Sequence, residues 1–230
     1  MSKEKEILKS GDEKLEVVEE ALSKTEKFIE NNQKIISIVV GVLVVIVLGY
    51  FGLKRYYFEP REKEAQVQMF AAEKYFELDS LNKALFGNDN NPGFIDIISQ
   101  YGSTKAGNLA KYYAGISFLR QGNYQEAINY LKKFDAIDNI IGPLAIGATA
   151  DAYVELNDLG KAAELYVKAA KQSDNEFTKP LMLFKAGRVY ELNNNFKKAS
   201  EVYEIIKKDF PNSTEGRTID KYLERAKGKV

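Results

Sequence analysis

Three stretches of this chain repeat one another, and that repeat constrains the fold more tightly than any other feature. GNYQEAINYLKKF, NDLGKAAELYVKAA and NNNFKKASEVYEIIK align on Ala127, Ala162 and Ala199, which lie 35 and 37 residues apart (162 − 127 and 199 − 162). A period of roughly 20–50 residues marks an array of small supersecondary units, each unable to bury its apolar face alone and therefore stacked on its neighbours. Around the alanines the same residue types recur: small Gly115, Ala150 and Gly187, aromatic Phe118, Tyr153 and Tyr190, then Gly122, Asn157 and Asn194. Tyr124, Leu159 and Phe196 follow, and large Leu131, Tyr166 and Tyr203 close each set. Small residues let two helices approach closely, and Gly or Asn suits a left-handed turn between them.

This pattern resembles the tetratricopeptide repeat (TPR), whose period is about 34 residues. The resemblance implies an all-α chain with an α-solenoid of about three repeats, near 108–141, 143–176 and 180–213. A final amphipathic helix over 214–229, carrying Ile219, Tyr222, Leu223 and Ala226, would cap the open end. The family tryptophan is missing, its place held by Lys111, Ile146 and Leu183, and the repeat-closing proline survives only as Pro211. Residues 54–107 read as a linker helix, opened by Pro60 and broken at NDNNPG, followed by a degenerate TPR-like helix pair in GFIDIISQYGSTKAGNLA.

Ahead of the repeats, Ile35 to Leu53 reads IISIVVGVLVVIVLGYFGL, nineteen residues without a charge. As a helix it is about 28 Å long, matching a hydrocarbon core of roughly 30 Å. Fourteen of the nineteen are Ile, Val, Leu or Phe, which favours insertion. A nineteen-residue strand would be several times the usual length. Tyr50, Phe51, Tyr56, Tyr57 and Phe58 beside Lys54, Arg55 and Arg61 suit an interfacial belt. The run follows a charged tail too long for a secretory leader, so it reads as an uncleaved, single-pass transmembrane signal-anchor. Lys24, Lys27 and Lys34 on one flank balance Lys54, Arg55, Arg61 and Lys63 on the other, so charge does not fix the orientation. Ser10 and Ser173 read as exposed positions on the two sides.

The tail, residues 1–34, is dense in both charges, with an apolar stripe at Leu15, Val18, Leu22, Thr25 and Ile29. That spacing predicts an amphipathic helix, capped at Ser10 and Glu13, which either solubilises the chain or binds a partner through Leu15, Val18, Leu22 and Ile29.

Composition narrows the chemistry. The chain has no His, no Cys and no Trp, which removes the usual zinc, iron–sulfur and haem ligand sets and the nucleophile–histidine pairs. Lys plus Arg and Asp plus Glu are equal at 33, leaving no net field to hold a nucleic acid. The expectation is a protein-binding chain with no cofactor, no metal and no catalytic residues.

In TPR proteins the inner faces of the first helices line a groove. The resemblance assigns it Leu109, Tyr112, Ile116, Leu119 and Arg120, then Leu144, Gly147, Asp151, Val154 and Glu155, then Leu181, Phe184, Arg188, Glu191 and Leu192. The Lys and Asn clamp that holds acidic tails would need cations and amides where Tyr112 and Ile116 stand. An apolar groove favours a helix or an extended apolar segment, although several of these side chains could equally pack under a terminal helix.

A signal-anchor, a divergent helix pair and a TPR array together resemble the YfgM-like family of ancillary subunits of the Sec translocon. The stretch STKAGNLAKYYAGISFLRQGNYQEA is similar to its Bacteroidetes members. That resemblance implies a bacterial inner-membrane protein with a cytoplasmic N-terminus and a periplasmic TPR domain. Its implied partners are SecYEG and a PpiD-like chaperone. Asp79-Ser80-Leu81 also fits the O-glycosylation pattern of Bacteroidetes envelope proteins. The alternative is an envelope scaffold for division or outer-membrane assembly.

Overall fold

The computed structural model describes residues 30–136 and 138–230. They belong to two compact units, Met1–Glu59 and Pro60–Val230. The tail positions Leu15, Val18, Leu22 and Ile29, and the Ser10 cap, lie outside the described residues.

In the first unit, residues 30–53 form a helix, α1, whose large apolar side chains face outward, Val45 and Leu48 among them. The helical run Glu30–Glu77 contains a window long and apolar enough to cross a membrane, with none of that window buried. A π-helical turn, Lys54–Phe58, follows, in which the Glu59 N–H donates to the Lys54 carbonyl. Pro60 has no N–H to give the ladder, and a widened turn just ahead of it accommodates that loss.

The second unit is all helix, with no strand among the described residues: α2 (Glu59–Glu77), α3 (Leu81–Phe86), α4 (Phe94–Tyr101), α5 (Lys105–Arg120), α6 (Tyr124–Leu131), α7 (Ile141–Glu155), α8 (Leu159–Gln172), α9 (Thr178–Leu192), α10 (Phe196–Asp209) and α11 (Ile219–Lys227). The chain winds antiparallel, each helix packing on the next from α4 to α11.

Local chemistry sets these boundaries. Thr104, Asp158 and Asn195 cap α5, α8 and α10, each accepting the N–H three residues on at 3.0–3.2 Å. Asn175 and Asp138 serve α9 and α7 in the same way, accepting from Thr178 N at 2.6 Å and Ile141 N at 2.5 Å. Gly122, Asn157 and Asn194 have φ of 78°, 59° and 56°. At each, the next N–H reaches back five residues, to Phe118, Tyr153 and Tyr190, at 2.8–2.9 Å, closing the first helix before the second begins.

A fourth turn of the same kind joins α2 to α3. Asp79 has φ 55°, and Ser80 N donates to Tyr75 O at 2.9 Å. Counting from the left-handed residue, the register then continues without a break. Ala72 stands at the Gly115 position, Tyr75 at Phe118, Leu81 at Tyr124 and Ala84 at Ala127, with Ala72 and Ala84 fully buried. The chain therefore has an additional repeat-like unit ahead of the three. This corrects the sequence expectation, because 93–110 holds one whole helix, α4, and the opening of α5 rather than a helix pair. The second helix of the new unit is cut in two by the insert 87–93. There Asn88 Oδ1 accepts from Asn90 and Asn91 at 3.0 and 2.9 Å, and a Cβ on Gly93 would stand 2.3 Å from the Leu85 carbonyl.

Two apolar clusters form the core. One joins α2–α7 through Phe94, Leu85, Ile97, Ile128 and Leu131; the other joins α7–α11 through Tyr166, Met182, Tyr203, Ile206 and Leu223. They meet at α7, which turns Ala145, Ala148 and Ala152 to the first and Ala150 to the second. Ala127, Ala162 and Ala199 are all fully buried. Lys111, in the place of the missing tryptophan, ties α5 to the preceding loop through Gly102 O at 3.1 Å.

Candidate functional site

The first helix of each unit, α2, α5, α7 and α9, carries the positions assigned to the groove. Phe76 of α2 meets Tyr113 of α5 edge-on at 5.1 Å, Lys185 of α9 pairs with Asp151 of α7 at 2.8 Å, and Arg225 of α11 grips Glu191 of α9 at 3.0 and 2.5 Å. These contacts run along one row of first helices.

Leu109, Tyr112, Ile116 and Leu119 are half-buried against the first cluster, while Leu144, Val154, Leu181 and Phe184 rest on the second. Tyr112 meets Phe134 at 5.6 Å, and burial raises its phenol pKa against the opposing pull of Arg120. Phe184 meets Tyr222 of the terminal helix at 4.8 Å, so α11 partly roofs this end. Tyr112 and Phe184 thus rest on different clusters.

The charged positions are engaged within the chain. Arg120 lies 4.5 Å over the Phe76 ring and 3.8 Å from Asp79, and Glu155 accepts from Tyr124 Oη at 3.2 Å. Asp151 accepts a short bond from Tyr166 Oη and two from Lys185 Nζ at 2.8 and 2.9 Å. Burial first, then the Asp151 charge, drives the Tyr166 pKa well up. Arg188 sits 3.9 Å from Glu191 and 5.7 Å over Tyr222.

The sequence reading missed the α2 side of this row. In the same register its groove positions are Gln66, Met69, Glu73, Phe76 and Glu77. Gln66, Met69 and Glu73 line a cleft of about 350 Å³ with Glu62, Lys105, Ala106 and Leu109. Glu62 closes one end by accepting Lys105 N at 2.6 Å and Ala106 N at 3.3 Å, which caps α5 from α2. The signal was there in Ala72, Tyr75, Asp79, Leu81 and Ala84, but the seven-residue insert displaced the next large residue and hid the period.

The Tetratricopeptide repeat family profile matches residues 109–135 and 182–213. The chain carries TPR repeats. α7 and α8, between the matched segments, share the turn at Asn157 and the buried Ala162, so the array is continuous through them. No curated protein matches the chain. TPR units are protein-interaction scaffolds, and this part of the chain is such a module.

Proposed function

We propose that the chain is a single-pass inner-membrane adaptor, an ancillary subunit of the Sec translocon that works with a periplasmic chaperone on exported polypeptides. The N-terminus is cytoplasmic, the TPR unit is periplasmic, and the protein acts by binding rather than by chemistry. One observation carries this reading: an exposed apolar helix of spanning length stands directly ahead of the TPR row. Fourteen aliphatic or Phe side chains in Ile35–Leu53 need a hydrocarbon surround, and a membrane supplies it. The resemblance of this order of elements to the YfgM-like family supports the choice of SecYEG and a PpiD-like chaperone as partners.

The test is crosslinking in intact cells followed by purification of the tagged chain from solubilised membranes. SecY and the chaperone should co-purify in amounts near the bait. Recovery of division or outer-membrane assembly proteins, with SecY absent, would favour the envelope-scaffold alternative. Orientation is read with cysteines at Ser10 and at Ser99, labelled in spheroplasts by an impermeant reagent. Ser99 is exposed on α4, whereas Ser173 is buried and unsuitable. Labelling at Ser99 alone is expected, and labelling at Ser10 alone would reverse the orientation.

A further inference from the structure

The units can be compared position by position, and one position behaves differently in one of them. Six residues before each left-handed turn stand Glu73, Ile116, Asp151 and Arg188. The two acids, Glu73 and Asp151, occupy equivalent places on α2 and α7. Asp151 is satisfied from inside the chain, because the next first helix offers Lys185, whose Nζ lies 2.8 Å away. The residue equivalent to Lys185 on α5 is Tyr113, nine before Gly122 as Lys185 is nine before Asn194. Tyr113 carries no charge to offer. Instead its ring is stacked on Phe94 at 5.2 Å and raised in pKa by burial and by the charge of Glu73.

Glu73 therefore lacks the cation that its counterpart has, and among the described residues it makes no ion pair. The nearby cations are committed or idle: Arg120 goes to Asp79 and the Phe76 ring, and Lys105 lines the cleft without pairing with Glu73. Glu62 is spent on the α5 amides and Glu77 adds a like charge. The carboxylate opens on a cleft that Met69, Ala106 and Leu109 line on its apolar side and Glu62, Gln66 and Lys105 on its polar side. An aliphatic stem ending in a cation fits such a wall and such a terminus.

We propose that the α2–α5 cleft receives a lysine or arginine side chain of the bound polypeptide, its stem against Met69 and Leu109 and its charge on Glu73, in the role that Lys185 plays for Asp151. This rests on the adaptor reading and gives it a partner chemistry: an apolar segment carrying one basic residue. Burial, and then Glu77, hold the Glu73 pKa above the ordinary carboxylate value, so a cation arriving here relieves a penalty already present in the free protein. The unit that supplies Glu73 is also the one that departs most from the repeat pattern, so selectivity is concentrated at the end of the row nearest the apolar helix in sequence.

The experiment uses the full chain in detergent and three fluorescent peptides, identical apolar sequences with lysine, norleucine or glutamate at the centre, read by anisotropy. The lysine peptide should bind tightest, by about tenfold over norleucine, the worth of one charge-assisted hydrogen bond. Glu73→Gln should erase that preference and Glu73→Lys should turn it toward the glutamate peptide, with unchanged helical circular dichroism. Glu204→Gln, whose partner is Lys227 at the end of the terminal helix, should leave the preference intact. Equal binding of the lysine and norleucine peptides, or a preference that survives Glu73→Gln, overturns the socket and leaves the adaptor reading standing. Failure to bind any of the three overturns both.

Discussion

Gly187 shows at the level of single residues how little room the repeat leaves between its helices. A Cβ there would stand 2.2 Å from the ring of Tyr203, which is itself fully buried and held by Phe184 and Tyr222. A Cβ on Gly115 would stand 2.5 Å from Leu131 in the same fashion, so the pairing of a small residue on one helix with a large one on the next is steric. Gly187→Ala should cost about 1–3 kcal/mol, read as a lower urea midpoint by circular dichroism. Gly160→Ala, with open space around it, should leave the midpoint unchanged or slightly raised. Tyr166 and Tyr203 give a second prediction. Both phenols are raised by burial, so both protons are held more tightly in the folded than in the unfolded chain. Their contribution to stability is complete below the unfolded value, about 10, and is lost as pH climbs through the folded values. Alkaline titration at 295 nm should show these two phenols ionising only with unfolding. Asp151→Asn should bring Tyr166 to an earlier pH, and no change would show that the carboxylate does not act on it.

Among the elements, α5 and α11 each depend on side chains from elsewhere. The first amides of α5 are satisfied by Thr104 within its own turn and by Glu62 from α2. Glu62→Ala should cost about 1–2 kcal/mol, the loss of a helix N-terminal acceptor, with faster hydrogen exchange at Lys105 and Ala106. If exchange there stays slow, Thr104 alone holds the end. α11 buries Ile219, Leu223 and Ala226 against Tyr203 and Ile206. Ending the chain at Ser213 should uncover this apolar surface and produce self-association by light scattering, because a solenoid end without its cap exposes core. Breaking the exposed Lys207–Asp220 pair at 2.8 Å should change the melting temperature little. A large drop from that pair would mean it orders the whole helix.

On the scale of the molecule, the proposed attachment to a bilayer rests on Ile35–Leu53, which lies in the exposed apolar helix. Arginines at both Val44 and Leu48 should disfavour insertion by about 5–7 kcal/mol in sum and move the chain into the carbonate-soluble fraction. Retention in the membrane pellet would shift attachment to the TPR unit or its partners.

Most of what is periodic and local was legible in the residues alone. The left-handed turns at Gly122, Asn157 and Asn194, the buried alanines and the spanning-length helix are visible because each depends on residues a few positions apart, or on composition alone. The repeat that begins with α2 escaped notice because its signature, Ala72 to Ala84, is complete only up to a broken second helix, and a period cannot be counted across an insert. Which side chains the groove leaves free was decided by the tertiary structure. Asp151, Glu155, Arg120 and Glu191 look alike on a helical wheel, yet their partners come from elsewhere in the fold, Lys185, Tyr124 and Arg225 from other helices and Asp79 from the turn after α2. Charge pairing across helices depends on how the units stack, and stacking is a sum over packed surfaces that no single segment encodes. Glu73 stands out for the same reason. Its sequence neighbours resemble those of Asp151, and only the packing of α5 against α2 puts Tyr113 where a lysine stands one unit pair further on.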